Sequence, residues 1–352
     1  MNSLGRIFRV SIWGESHGPV VGVVIDGCPP GIPLVPADFR RDLARRRSGA
    51  PGTTPRRERD IPVILSGTYK GKITGAPLAI EFQNADFDSS AYLKIEDIPR
   101  PGQADWTALF KSGGFRDPRG GGHFSGRLTV GLVAAGVIAR KIIRPAEVRS
   151  EIIEIGGRRD YARIVRQTGL LGDSLGGLIE CRAKGVPPGL GEPFFDSVES
   201  LLAHAAFSIP AVKGVEFGDG FKAARMKGSE FNDAIINRTG KTRTNHAGGV
   251  NGGITNGNEL VFRVAVRPTA SIGLPQRTID LARNKLATLK LEGRHDACIA
   301  LRMPVILEAV TAIVLADLFL AAGHHGRRPE NRCGPQRRRQ QRPGRERRKR
   351  EP

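Results

Sequence analysis

The chain has 352 residues, 39% hydrophobic and 26% charged, the balance of a soluble globular protein long enough for a large core. Of its formal charge of +20, residues 326–352 supply +9 from twelve Arg or Lys and three Glu, leaving +11 on the rest, which suits anionic substrates. Aromatic residues are scarce at 6% while there are 45 glycines, a composition for turns and close backbone approaches rather than base-stacking platforms.

In chain order, residues 6–13 and 20–26 read as strands flanking the loop 14–18. Pro36, Ala37 and Asp38 open an arginine-rich helix over 39–47, followed by a Gly/Pro/Thr loop to Pro55. Short strands are expected at 61–66 and 79–83, a helix over 128–143 and a strand over 176–182. Residues 197–207 place apolar side chains at helical spacing behind Ser197 as a cap. The glycine-rich run 245–257 leads into a strand over 259–266, and Leu274, Pro275 and Thr278 introduce a helix to about 291. The last helix covers 303–322. This pattern lacks regular βαβ alternation and predicts an α+β fold of mainly antiparallel sheets with a helical layer. Residues 1–322 form one domain, and 323–352 a basic, disordered tail. Such a tail is either merely solvated or a non-specific contact for nucleic acid through its phosphates.

Residues 1–10 carry no apolar core before a small-residue cleavage site. The apolar stretch 303–323 is interrupted by Glu308 and Asp317, and 128–139 is too short to span a bilayer. Cys28, Cys181, Cys298 and Cys333 are scattered without a CxxC pair, so no structural zinc is expected and the compartment is reducing. A cytoplasmic protein without membrane contact is the expectation.

Neither a P-loop nor a Rossmann fingerprint is present, since 67–74 is only a near miss, and the histidines lack HExxH spacing. The chemistry sits instead in separated loops. Arg119-Gly-Gly-Gly-His-Phe-Ser-Gly-Arg127, ahead of the helix over 128–143, joins backbone amides, a hydroxyl and guanidinium groups into an anion cradle. The plainer reading is a glycine turn into a helix. His17, in the loop 14–18, is placed to titrate near neutrality and act as an acid, or it is a structural loop histidine. Arg40, Arg41, Arg45, Arg46 and Arg47 crowd one short helix, as a solvated face or an anion-compensated one. Residues 248–253 and then Arg267, Pro268, Thr269, Ala270 and Ser271 offer a second anion site. In Arg294-His295-Asp296 the arginine should keep the carboxylate ionised.

Together these segments resemble the chorismate synthase family over roughly residues 5–322: GESHG (14–18), DGCPPGIPL (26–34), RRRSG (45–49), TTPRRERD (53–60), ILSGTYKGKITGAPL (64–78), RGGGHFSGR (119–127), HAGGVNGGITNG (246–257), RPTASI (267–272) and RHDAC (294–298). The resemblance implies loss of phosphate and a proton from 5-enolpyruvylshikimate 3-phosphate to give chorismate, a lyase step of the shikimate pathway to aromatic amino acids. It implies reduced FMN as cofactor, reduced by an external NAD(P)H-dependent system because no nicotinamide motif is visible here. It also implies a helical layer between two antiparallel sheets and a homotetramer.

Carried over by position, His17 resembles the family's first catalytic histidine, and Asp296 the aspartate near the flavin. His123, Phe124, Ser125, Gly252, Arg294 and the run Arg267, Pro268, Thr269, Ala270, Ser271 fall in flavin-binding segments, with Arg267 where Lys is usual. Arg46 matches a position for phosphate or nucleotide; Arg47, Arg119 and Arg127 are implied substrate clamps. Gln103 stands where the family carries its second catalytic histidine, and an amide cannot deliver a proton as imidazolium does.

Overall fold

A computed structural model describes residues 2–54, 56, 58–93, 95–291 and 295–323; the basic segment from 324 onward lies outside it. The first half contains strands β1 (Ser3–Leu4), β2 (Arg9–Gly14) and β3 (Val20–Asp26), helix α1 (Arg40–Arg46), and strands β4 (Val63–Ile64), β5 (Thr68–Tyr69), β6 (Lys72–Ile73) and β7 (Leu78–Gln83). Helices α2 (Ser90–Leu93), α3 (Asp105–Lys111) and α4 (Thr129–Ile142) follow. The second half contains β8 (Glu147–Ile155), α5 (Ala162–Leu170), β9 (Gly177–Lys184), α6 (Val198–Ser208), β10 (Val212–Phe217) and α7 (Gly228–Phe231). It ends with β11 (Val250–Asn251), β12 (Ile254–Thr255), β13 (Leu260–Val266), β14 (Gln276–Asp280), β15 (Lys285–Leu289) and α8 (Met303–Ala321).

Two antiparallel sheets enclose a helical layer. One has the order β1-β2-β3-β7-β4 and the other β10-β13-β9-β8. In β3 the successive Val21, Val23 and Ile25 are buried, the period-two pattern of a strand with one face inward. Helix α4 packs on β3 and α8 on β8, while α4 and α8 pack on each other. Both are apolar around nearly the whole circumference because both sides of the layer are covered. Glycine makes the close crossing possible: a Cβ on Gly136 would fall 2.4 Å from the Cβ of Ala309.

Helix Ile299–Ala321, the 3-10 turn included, is long and apolar enough to cross a membrane, yet 83% of its 18-residue apolar window is buried inside the protein. Its charges are committed internally. Glu308 accepts from Arg45 at 2.6 and 2.8 Å and from the Ser150 amide at 3.0 Å. Asp317 accepts the amides of Arg6, Ile7 and Phe8 at 2.9, 2.7 and 2.8 Å.

Most expected elements are present within a few residues, and Ser197 caps α6 by accepting the Ser200 amide at 3.1 Å. The helix expected from 274 to about 291 is instead the hairpin β14–β15, paired from Gln276–Leu289 to Asp280–Lys285. Asn284 at φ 50° and Asp280, whose carboxylate accepts the Arg283 amide at 3.0 Å, make the turn. Cross-strand pairing thereby overrides the helix-forming Leu, Ala, Arg and Lys of this stretch. Cys28, Cys181 and Cys298 are buried free thiols, and burial pushes the first two up to about 12.

Candidate active site

The loop 14–18 joins β2 to β3 at one end of the first sheet, and the Ser16 amide donates to the Gly122 carbonyl at 3.1 Å. That contact seats the triple glycine against His17. Gly120 has φ 60°, and a Cβ there would lie 2.4 Å from His17 Nε2, so only glycine lets the backbone pass. His17 Nδ1 lies 2.9 Å from Ser89 Oγ, and its ring packs against Phe87 at 5.2 Å and edge-on to Tyr92 at 5.4 Å. The expectation of an accessible histidine titrating near neutrality is corrected: His17 is 6% exposed. Burial, followed by the Arg56 charge, lowers its pKa to about 4.

Around it stands a lattice of guanidinium and carboxylate groups. Buried Asp60 accepts from Arg46 at 3.0 Å and from Arg127. Arg46 donates further to the carbonyls of Gly126 and Arg127, both at 3.2 Å, and Arg127 to Asn84 Oδ1 at 2.7 Å. Burial pulls Arg46 down to about 10, which leaves it charged at neutral pH. Arg46, expected to meet phosphate or nucleotide, and Arg127, expected as a substrate clamp, therefore spend most of their donors inside the protein. Arg56 pairs with Glu58 at 2.6 Å and reaches Ser16 Oγ at 3.2 Å. Arg100 holds Asp105 through two contacts of 2.7 Å and donates to Ser271 Oγ at 3.2 Å.

These groups wall a cavity of ≈ 440 Å³ that carries six arginines, His17, Gln103, Ser125, Thr269, Ser271, His295 and Asp296. Four buried polar atoms of its lining have no hydrogen-bond partner among the described residues: Arg47 Nε, Thr269 Oγ1, His295 Nε2 and Arg302 Nε. Buried polar groups are rarely left so, and a wall of orphaned donors marks a site for an anionic ligand. A second cavity of ≈ 600 Å³ shares Ser271, His295 and Asp296 with the first, and Tyr161, Val165, Leu291 and Leu301 make it more apolar. Asp296 accepts the Thr54 amide at 2.9 Å and pairs with Arg302 at 2.6 Å; Arg294, expected as its partner, lies outside the described residues.

The cavity gathers His17, Arg46, Arg47, Gln103, Ser125, Arg127, Thr269, Ser271 and Asp296 from segments far apart in sequence. Other expected residues are not on its wall. The ring nitrogens of His123 lie 2.8 Å from the Gly14 carbonyl and 3.0 Å from Asn2 Oδ1, tying the segment to the first sheet. His123 and Phe124 line a smaller cleft beside α3. Arg119 pairs with Asp117 at 2.8 Å, and Arg267 turns to the Pro268 carbonyl at 2.8 Å. Gly252 sits in the turn of the β11–β12 hairpin with open space around it, and Ala270 packs near Gly102. Sequence reasoning gave no role to Arg56, Arg100, His295 or Arg302. The charge alternation of TTPRRERD was the available signal for the first, because so many opposite charges in sequence serve best when folded into a lattice.

The sequence profile of the family described as chorismate synthase matches residues 8–320. A chorismate synthase of Chitinophaga pinensis is 58% identical over 321 residues, covering 91% of this chain and 97% of that protein. One of Pyrococcus abyssi is 47% identical over 345 residues, covering 90% and 97%. A crystal structure of chorismate synthase superposes with a TM-score of 0.69 at 26% identity, covering 90% of this chain and 93% of the other. With the layered fold, the polybasic cavity and these matches in agreement, the chain belongs to the chorismate synthase family.

Proposed function

We propose that this protein removes phosphate and a proton from 5-enolpyruvylshikimate 3-phosphate to give chorismate, in the shikimate pathway and with reduced FMN. One observation carries the reading: a cavity lined by six arginines and two histidines in which four buried polar atoms lack partners. A substrate with a phosphate and two carboxylates needs such a wall. The same orphaned donors and the adjoining apolar cavity fit a phosphorylated, flat aromatic cofactor. Thr269, Ser271, His295 and Asp296 would hold it where the two cavities meet. Held there, reduced FMN would supply the transient electron density that loss of phosphate from the substrate calls for.

The chain's own residues bind, orient and move protons. Arg47 and Arg302 retain unpartnered Nε donors for ligand oxygens, whereas Arg46 and Arg127 fix the floor through Asp60. His17 is neutral in the ligand-free protein, and a phosphate dianion beside it favours the imidazolium and so raises its pKa. The Ser89 hydroxyl at Nδ1 orients the ring. The protonated ring can then give its proton to the departing phosphate. In this reading the enzyme is a cytoplasmic homotetramer, residues 1–322 form its catalytic domain, and an external NAD(P)H-dependent system reduces its flavin.

Purified protein with chemically reduced FMN, under anaerobic conditions, should release stoichiometric phosphate from the substrate; folded protein that releases none overturns the reading. Gln103 on the cavity wall favours a second reading, a weakened enzyme that still binds both ligands. Under it, Gln103→His should raise turnover more than tenfold.

A further inference from the structure

Gln103 does not face the cavity alone. Its Nε2 and Arg100 Nη2 converge on Gly121, lying 3.5 and 3.9 Å from where a Cβ would be on that residue. Arg100 Nη1 donates to Ser271 Oγ, and Ser271 stands beside His295 where the two cavities meet. His295 lines both cavities, and its Nε2 is buried with no hydrogen-bond partner among the described residues. A neutral imidazole with an orphaned ring nitrogen is costly to bury unless a ligand completes it.

Resting on the functional reading above, we propose that His295 is the second proton-carrying side chain of this cavity: its Nε2 donates to an anionic oxygen of the bound ligand, a task Gln103 can meet only with a neutral amide. The charged surroundings suit a switch. Arg100, from the segment before α3, and Asp296, from its own loop, act on His295; Arg47 and Arg302 share the first cavity's wall with it, and Arg166 and Asp173, from α5 and its following turn, the second's. Burial, and then Arg100, hold the imidazole neutral in the free protein, with Asp296 opposing. A ligand oxyanion adds the negative charge that reverses this balance, so His295 takes up a proton on binding.

The test uses flavin-free protein and inorganic phosphate as the probe, with imidazole signals followed by NMR through a pH titration. The signal assigned to His295, by its loss in His295→Gln, should titrate at least one pH unit higher with saturating phosphate. A shift of less than half a unit overturns the proposal whether or not the protein turns over substrate. Kinetics give a second readout. His295→Gln should lower kcat at least tenfold with KM changed less than threefold, and adding Gln103→His to that variant should recover most of the loss. That recovery is read against Gln103→His in otherwise native protein, where the imidazole of His295 is still present. A gain above tenfold there, or no recovery in the double variant, overturns the assignment. Absence of phosphate release in the native protein counts against the reaction alone, because the phosphate-linked titration still decides His295. Should His295→Gln fail to fold, His295→Asn provides the same comparison.

Discussion

A Cβ on Gly120 would fall 2.4 Å from His17 Nε2, well inside van der Waals contact. Gly120→Ala places a methyl group against the imidazole at a positive φ, which should cost about 1–3 kcal/mol in strain. Displacing His17 should lower phosphate release about 10²-fold or more, the usual loss for a misplaced acid. Circular dichroism should show a folded variant; full activity would show that the backbone can yield there. His17 also links stability to pH. Because its folded pKa lies near 4 and below its ordinary 6.5, the unfolded chain binds more protons between those values. Stability contributed by the neutral ring is complete above pH 6.5 and falls on acidification toward pH 4. His17→Gln should flatten that acid limb in urea unfolding measured across the window, and an unchanged slope would contradict the assignment.

The β14–β15 hairpin marks where local sequence misleads. Asn284 holds φ 50° in its turn, so Asn284→Ala should destabilise by about 1–2 kcal/mol, read as a lower urea midpoint. The same hairpin explains what was legible and what was not. The strand over Val20–Asp26, the capped helix behind Ser197 and the long apolar run from Met303 each carry a strong local signal, and they appear where expected. In residues 276–289 the helix-forming composition hid a pairing that depends on a turn. The site was legible as motifs and not as geometry. Nothing local in RHDAC says that Asp296 will be held by Arg302, six residues on, or that His295 will face two cavities at once. Likewise, RGGGHFSGR named an anion cradle, yet His123 and Arg119 turn to other partners because the glycines bend the chain between them.

Across the molecule, the sheets are joined through charges buried in the middle layer. Glu308 of α8 takes Arg45 from α1, Arg140 from α4 and the Ser150 amide from β8. Glu308→Ala leaves these cations without a counter-charge, a loss of about 3–5 kcal/mol for a buried pair. The Arg45 side chain is 37% exposed and can turn to water, which places the expected loss near about 3 kcal/mol. Equilibrium urea unfolding checks this, and a loss below about 1 kcal/mol would mean the pairs are effectively solvated.

Helix α8 is the centre of the fold and the last element among the described residues, and Asp317 fastens the amides of residues 6–8 across more than three hundred positions. Synthesis runs from the amino terminus, so the face of β8 and β9 that α8 covers stays open while α8 is still inside the ribosome. The valines of β3 meet α4 early, but the glycine crossing of α4 faces no partner until α8 emerges. The nascent chain waits half closed, and α8 completes the layer against α4 and the second sheet together.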